Sequence, residues 1–166
     1  MNENNVLKYL SFQKVIPREN YHDLNIHNFY IYCYLNPFEK CDLRFKILGK
    51  DYTFGYLPIY IGKASTNHGY RHNQHISEFL HGMDSDEPNS GINHDKQKVF
   101  LEIDKNMKEN NDPNLPSNWV EYQKNWIIIL THFDLASELI TAEKEFIKTI
   151  GVRYKETGPL TNAILG

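Results

Sequence analysis

The sequence predicts an α+β domain in which three strands carry helices packed against them. Three observations lead there. The short runs 29–35, 57–61 and 125–131 are dense in β-branched and aromatic residues, as buried strands are. The segments 95–108 and 135–150 place apolar residues at helical spacing, and 70–80 reads as a further helix behind a polar lead. No repeat, low-complexity tract or linker divides the 166 residues, a length at which one domain buries a real core.

Taken in order, Asn5 to Ile16 carries Val6, Leu7, Leu10, Val15 and Ile16 ahead of Pro17, which predicts a short N-terminal helix. Residues 17–27 read as a polar connector, so 1–27 form an extension to a domain spanning 28–166. Phe29 to Leu35 is the central strand, and Asn36-Pro37 ends it. Arg44 to Leu48 alternates before a turn at Gly49-Lys50-Asp51, a small extra strand or a surface excursion. Leu57 to Ile61 is the second strand and Gly62 closes it. Tyr70 to Leu80 follows as a helix, and 82–93 as a loop. Val99, Phe100, Ile103 and Met107 mark the helix from Asp95 to Lys108, and 110–118, with two prolines, is a loop. The third strand runs through 125–131. In the last helix Leu139, Ile140, Ala142, Phe146, Ile147 and Ile150 share a face, with Asp134 as its cap and Gly151 past its end.

Composition sets limits. Hydrophobic residues at 40% and charged residues at 23% are ordinary for a globular chain. No apolar run approaches a membrane span, and Met1 to Asn5 lacks the regions of a signal peptide. Cys33 and Cys41 form neither a disulfide framework nor a metal knuckle, so a reduced, cytoplasmic chain is expected. The Lys, Asn, Ile and Tyr bias points to an A·T-rich bacterial or phage genome. A net charge of −3 argues against a large nucleic-acid footprint, since DNA affinity rests on Lys and Arg contacts to phosphate. A small site remains open, because Lys63, Arg71, His68, His72, His75 and His81 cluster ahead of the acidic stretch Asp84 to Glu87.

The chemistry concentrates there. Tyr60 stands at a strand end, and Arg71 and His75, one helical turn apart, share a face. A tyrosine, an arginine and a histidine aimed at one space suit a phosphodiester. His68 and His72, at i and i+4, are spaced for zinc, but no third ligand has convincing spacing. Tyr30 and Tyr32 share a strand face by period two. Glu143, taken alone, is a helical surface charge.

Tyr30-Ile31-Tyr32 with Leu35-Asn36-Pro37, Tyr60-Ile61-Gly62, Arg71, His75, Glu143 and Gly158-Pro159-Leu160-Thr161-Asn162 follow one another in an order that resembles the GIY-YIG endonuclease superfamily, in its branch ending in Gly-Pro-Leu-Thr-Asn. Tyr30 stands where that family usually has glycine, and Asn36 to Leu57 is longer than in compact members. The resemblance implies a three-stranded antiparallel sheet flanked by helices and a metal-dependent DNA endonuclease. It implies a single magnesium or manganese ion on Glu143, with Glu145 the weaker alternative. It further implies Arg71 as the phosphate clamp, and Tyr32 or Tyr60 as the group that takes a proton from the attacking water, Tyr32 being preferred. The alternative is metal-bound or His75-assisted water that the tyrosine only orients, and Tyr30, Gly62, Lys63 and Asn162 support. A tyrosine base has a reference pKa of about 10, so reaching phenolate at neutral pH costs roughly 4 kcal/mol, which positive charge from Lys63, Arg71 and the metal reduces. The implied partner is double-stranded DNA, aided by a homo-oligomer or a fused recognition domain. Homing or phage-type and restriction nucleases are not separated. The alternative is a nucleic-acid-binding module that keeps the fold without catalysis, which the Tyr30 departure favours.

Overall fold

Two long strands dominate the computed structural model, which describes residues 14–15, 29–64, 75–80, 94–125 and 128–162. Strand β2 (Phe29–Ile47) turns at Leu48-Gly49 into β3 (Lys50–Ala64). Both turn residues have positive φ, 51° and 78°, the two-residue turn whose twist matches paired strands. The other elements are β1 (Lys14–Val15), a helical segment α1 over 75–80, α2 (His94–Asn110), α3 (Trp119–Asn125), β4 (Ile128–Phe133) and α4 (Ala136–Ile150). The sheet order is β1-β4-β2-β3, antiparallel at every pairing. The expected three-stranded antiparallel sheet with flanking helices is therefore present as β4-β2-β3, and β1 lengthens it by two residues.

Several elements differ from expectation for physical reasons. Lys14 and Val15, placed in a helix by their spacing, pair instead with Ile129 and Ile128; the rest of 1–27 lies outside the described residues. Strand β2 runs on through Asn36-Pro37 because β4 leaves it at Cys33 and the register with β3 shifts between Asn36 and Lys40. Pro37 sits in that irregularity, where a missing N–H breaks no ladder bond. Arg44 to Ile47 is thus part of β2, not a separate excursion. Helix α3 was not expected. Asn118 starts it by accepting the Glu121 N–H at 2.9 Å, and Asp104 from α2 accepts the Trp119 N–H at 3.0 Å. Asp134 does not cap α4: the cap position is Leu135, with no side-chain bond. Gly151 does end that helix, with its N–H on the Ile147 carbonyl. The expected loop at 82–93 and most of the 70–80 helix lie outside the described residues.

Alternation along β2 and β3 sorts the core into two layers. Ile31, Cys33, Leu35 and Ile61 face α4 and pack with its Leu139, Ala142, Phe146, Ile147 and Ile150. Tyr30, Tyr32, Tyr34 and Tyr60 face the opposite way and pack with Phe79 of α1, Phe100 of α2 and Trp119 of α3. No helix among the described residues is long and apolar enough to cross a membrane.

Candidate active site

The site is built on the pairing of Tyr32 with Gly62 across β2 and β3. The Tyr32 ring lies directly over Gly62, so a Cβ at that position would collide with the ring carbons and the hydroxyl. Glycine is needed here for space rather than for turning the chain. Lying flat across the neighbouring strand, the ring sends its hydroxyl to His75 at the start of α1, 2.6 Å from Nε2. Tyr32 is 0% exposed and His75 1%, so this bond is shielded from water. With the imidazole hydrogen on Nδ1, the phenol donates to a bare Nε2.

Tyr60 completes the group. Its ring stands edge-on to the His75 ring with centroids 4.9 Å apart, and it stacks on Tyr34 at 6.0 Å. At 8% exposure it is more accessible than Tyr32. Tyr30 packs edge-on against Tyr32 at 6.1 Å, and burial pushes its hydroxyl far above the ordinary phenol range. It is therefore a neutral packing group that keeps its proton, filling the space beside Tyr32.

The edge of β3 that carries Tyr60, Ile61 and Gly62 is closed by the C-terminal segment. Asn162 accepts the Ile61 N–H at 3.1 Å through Oδ1 and donates through Nδ2 to the Ile61 carbonyl at 2.8 Å. One side-chain amide thus pairs with this residue as a neighbouring strand would. Thr161 adds its own N–H and hydroxyl, both donated to the Ile59 carbonyl at 2.8 and 2.7 Å. The segment reaches the edge because Gly151 and Gly158 pack backbone to backbone. A Cβ on Gly151 would strike the Thr157 carbonyl, and one on Gly158 the Ile150 carbonyl.

Glu143 stands apart from the tyrosines. It projects from α4, on the layer opposite the tyrosine face, and its Oε1 takes an ion pair from Lys63 Nζ at 3.0 Å. Lys63 follows Gly62 and pairs with Ile31, so the carboxylate reaches the same end of the sheet from its other side. Glu145, the weaker alternative, is half-buried on the same helix. Among the described residues no three His, Cys, Asp or Glu side chains gather to hold a metal ion. A single carboxylate is nonetheless a donor set that magnesium accepts when phosphate oxygens and waters complete its octahedron. Glu143 fits an ion that arrives with a phosphate.

Of the other expected site residues, Arg71 and the histidines at 68, 72 and 81 lie outside the described residues. The structure brings Tyr30, Tyr32, Tyr60, Gly62, His75 and Asn162 together, and holds Lys63 and Glu143 as a pair behind them. It adds three groups that the sequence reading missed. Tyr34 follows Tyr32 by the same period two and was legible in principle. Glu78, one turn beyond His75, has its Oε2 3.8 Å from His75 Nδ1. Lys96 of α2 stands 3.1 Å from that same oxygen, its ammonium 5.4 Å from the Tyr60 ring centroid. No protein-family model, curated protein or solved structure matches this chain, so its chemistry is argued from these residues.

Proposed function

We propose that the protein is a metal-dependent endonuclease that hydrolyses phosphodiester bonds in DNA, with Tyr32 and His75 at the centre of its proton chemistry. The observation that carries this reading is the 2.6 Å bond between Tyr32 and His75, laid over Gly62. It couples a tyrosine to a base-forming partner, which is what a group ionising near pH 10 needs to work at neutral pH.

The roles are assigned by the chemistry each side chain offers. Tyr32 takes a proton from the attacking water as its own proton passes to His75 Nε2. Water oxygen bonds to phosphorus, the bond to the 3′ oxygen breaks, and the protonated imidazole returns the proton to solvent or to the leaving oxygen. Tyr60, at the more open side of the imidazole, orients the water or the phosphate. Arg71 is assigned to a non-bridging oxygen, where a planar and permanently charged fork is well matched. Glu143 holds the divalent ion, magnesium or manganese, which when bound neutralises charge on the phosphate. Lys63 holds the Glu143 carboxylate in place through their 3.0 Å ion pair. Asn162 and Thr161 hold the strand bearing Tyr60, and Gly62 and Tyr30 hold the Tyr32 ring. The substrate is double-stranded DNA, and a second copy of the chain or a fused recognition module supplies the affinity that a net charge of −3 does not.

One observation favours the second reading, a nucleic-acid-binding module that has lost catalysis: Tyr32 is 0% exposed, out of reach of a phosphate in this arrangement. Plasmid nicking with magnesium decides between them. The native chain is expected to cut, Tyr32→Phe to cut about a hundred-fold more slowly or worse, and Arg71→Ala and Glu143→Ala to cut nothing measurable. DNA binding without cleavage by the native chain would select the binding module. Cleavage that survives Glu143→Ala would move the metal elsewhere.

A further inference from the structure

We propose that Glu78 and Lys96 form a matched charge pair that sets the titration and tautomer of His75, which makes both of them positioning residues for the Tyr32 proton transfer. The consequence for catalysis rests on the nuclease reading; the effect on the imidazole does not.

The geometry is a chain of contacts drawn from four elements. Tyr32 on β2 meets His75 Nε2 at 2.6 Å. The other ring nitrogen, Nδ1, faces Glu78 Oε2 at 3.8 Å, one helical turn away. That oxygen is held at 3.1 Å by the Lys96 ammonium from α2. Lys96 in turn lies over the Tyr60 ring, and Tyr60 stands edge-on to His75. The ring of contacts therefore closes on the imidazole. Among the described residues, the groups facing His75 are Tyr32 and Tyr34 from β2, Tyr60 from β3 and Glu78 from its own helix, with Lys96 acting through Glu78.

Two opposing demands explain why a pair is useful. A carboxylate near Nδ1 favours hydrogen on that nitrogen, which leaves Nε2 bare to accept from Tyr32. An unopposed carboxylate beside a ring that is 1% exposed would also favour the imidazolium, whose Nε2 carries a hydrogen and cannot accept the Tyr32 proton. Lys96 counters that second effect while fixing the carboxylate in place. The pair thus selects the tautomer and spares the neutral form. It does for this imidazole what an orienting carboxylate does in a nucleophile–base arrangement, with the charge trimmed by a lysine.

The test is an imidazole ¹⁵N NMR titration of the full chain, with the His75 signals assigned by their loss in His75→Asn. Glu78→Gln is expected to lower the His75 midpoint by about one pH unit, and Lys96→Gln to raise it by about half a unit. Lys96→Arg restores the charge and should return the midpoint to the native value, which separates charge from packing over Tyr60. Opposite shifts with rescue by arginine support the pair. Shifts in the same direction, no shift, or a ring that titrates in none of these proteins overturns it. Nicking is followed in parallel, and the pH–rate profile of Glu78→Gln should move with its titration. A native chain that never cuts sinks the nuclease reading while the NMR still judges the charge pair. A native chain that cuts, with an unmoved titration, sinks the pair alone.

Discussion

The two faces of the sheet are made by the same strands and serve different ends. On one, the oxygen-free side chains of Ile31, Cys33, Leu35 and Ile61 meet the apolar stripe of α4, with Tyr52 set edge-on to Phe146 beside them. On the other, Tyr30, Tyr32, Tyr34 and Tyr60 are nearly as buried, yet every one carries a hydroxyl. An aliphatic layer stabilises by area alone and tolerates small shifts. A tyrosine layer stabilises through the same ring area, but its hydroxyls and partner His75 need fixed directions, so it tolerates much less. The difference teaches that burial does not make a residue structural. In this protein the fully buried Tyr32 is the centre of the proposed chemistry, while the half-exposed Ile140 contributes little to either layer.

The sharpest way to break that comparison is to damage one face and read the other. Phe146→Ala empties the centre of the aliphatic layer, where Phe146 stands edge-on to Tyr52 at 5.1 Å. It should cost about 3–5 kcal/mol in denaturant melts, with cleavage per folded molecule unchanged. A loss of cleavage in the folded fraction would show the two faces to be coupled. Gly62→Ala works on the other face. Its new Cβ displaces the Tyr32 ring, so we expect a smaller loss of about 1–3 kcal/mol together with loss of the Tyr32–His75 bond, visible as a changed His75 tautomer. Retention of that bond would mean that the strand pair yields more easily than its register implies.

Alkaline pH acts by degrees, and at its onset has the smallest effect of the three. Burial holds the Cys33 thiol above its ordinary value of 9.0, and the Tyr30 and Tyr122 hydroxyls above 10.0. In the unfolded chain these groups release protons at those ordinary values, while the folded chain keeps them. Their contribution is thus whole below pH 9.0 and declines as pH rises. The decline should start from Cys33 on the aliphatic face at about 1.4 kcal/mol per pH unit and steepen when the tyrosines join near pH 10. Urea melts between pH 8 and 11 check it, and Cys33→Ala should delay the onset by about one unit.

Much of this was open to reading in the chain. The alternation of Tyr30-Ile31-Tyr32-Cys33-Tyr34-Leu35 is a local pattern, and it alone sorts those residues to two faces. The stripe of α4 and its end at Gly151 were legible for the same reason, since helical spacing and a glycine stop act over a few residues. The start of α3 was legible too and was missed: Asn118 followed by Glu121 is a cap signature, hidden by the prolines before it. The run through Pro37 was not, because whether a proline breaks a strand depends on whether a partner needs its N–H. In β2 the partner on that side has already ended.

The site divides along the same line. Period two and one helical turn place Tyr32 beside Tyr34, and His75 beside Glu78, because such spacings are set by backbone geometry that any sequence inherits. Nothing in those spacings says that Tyr32 must lie over Gly62, that Asn162 must stand in for a strand beside Ile61, or that Lys96 must reach Glu78 across 18 residues. Those contacts depend on the register of a long hairpin and on how α2 packs against the sheet. They are settled by the shape of the whole core, where a side chain meets whatever the packed layers bring opposite it.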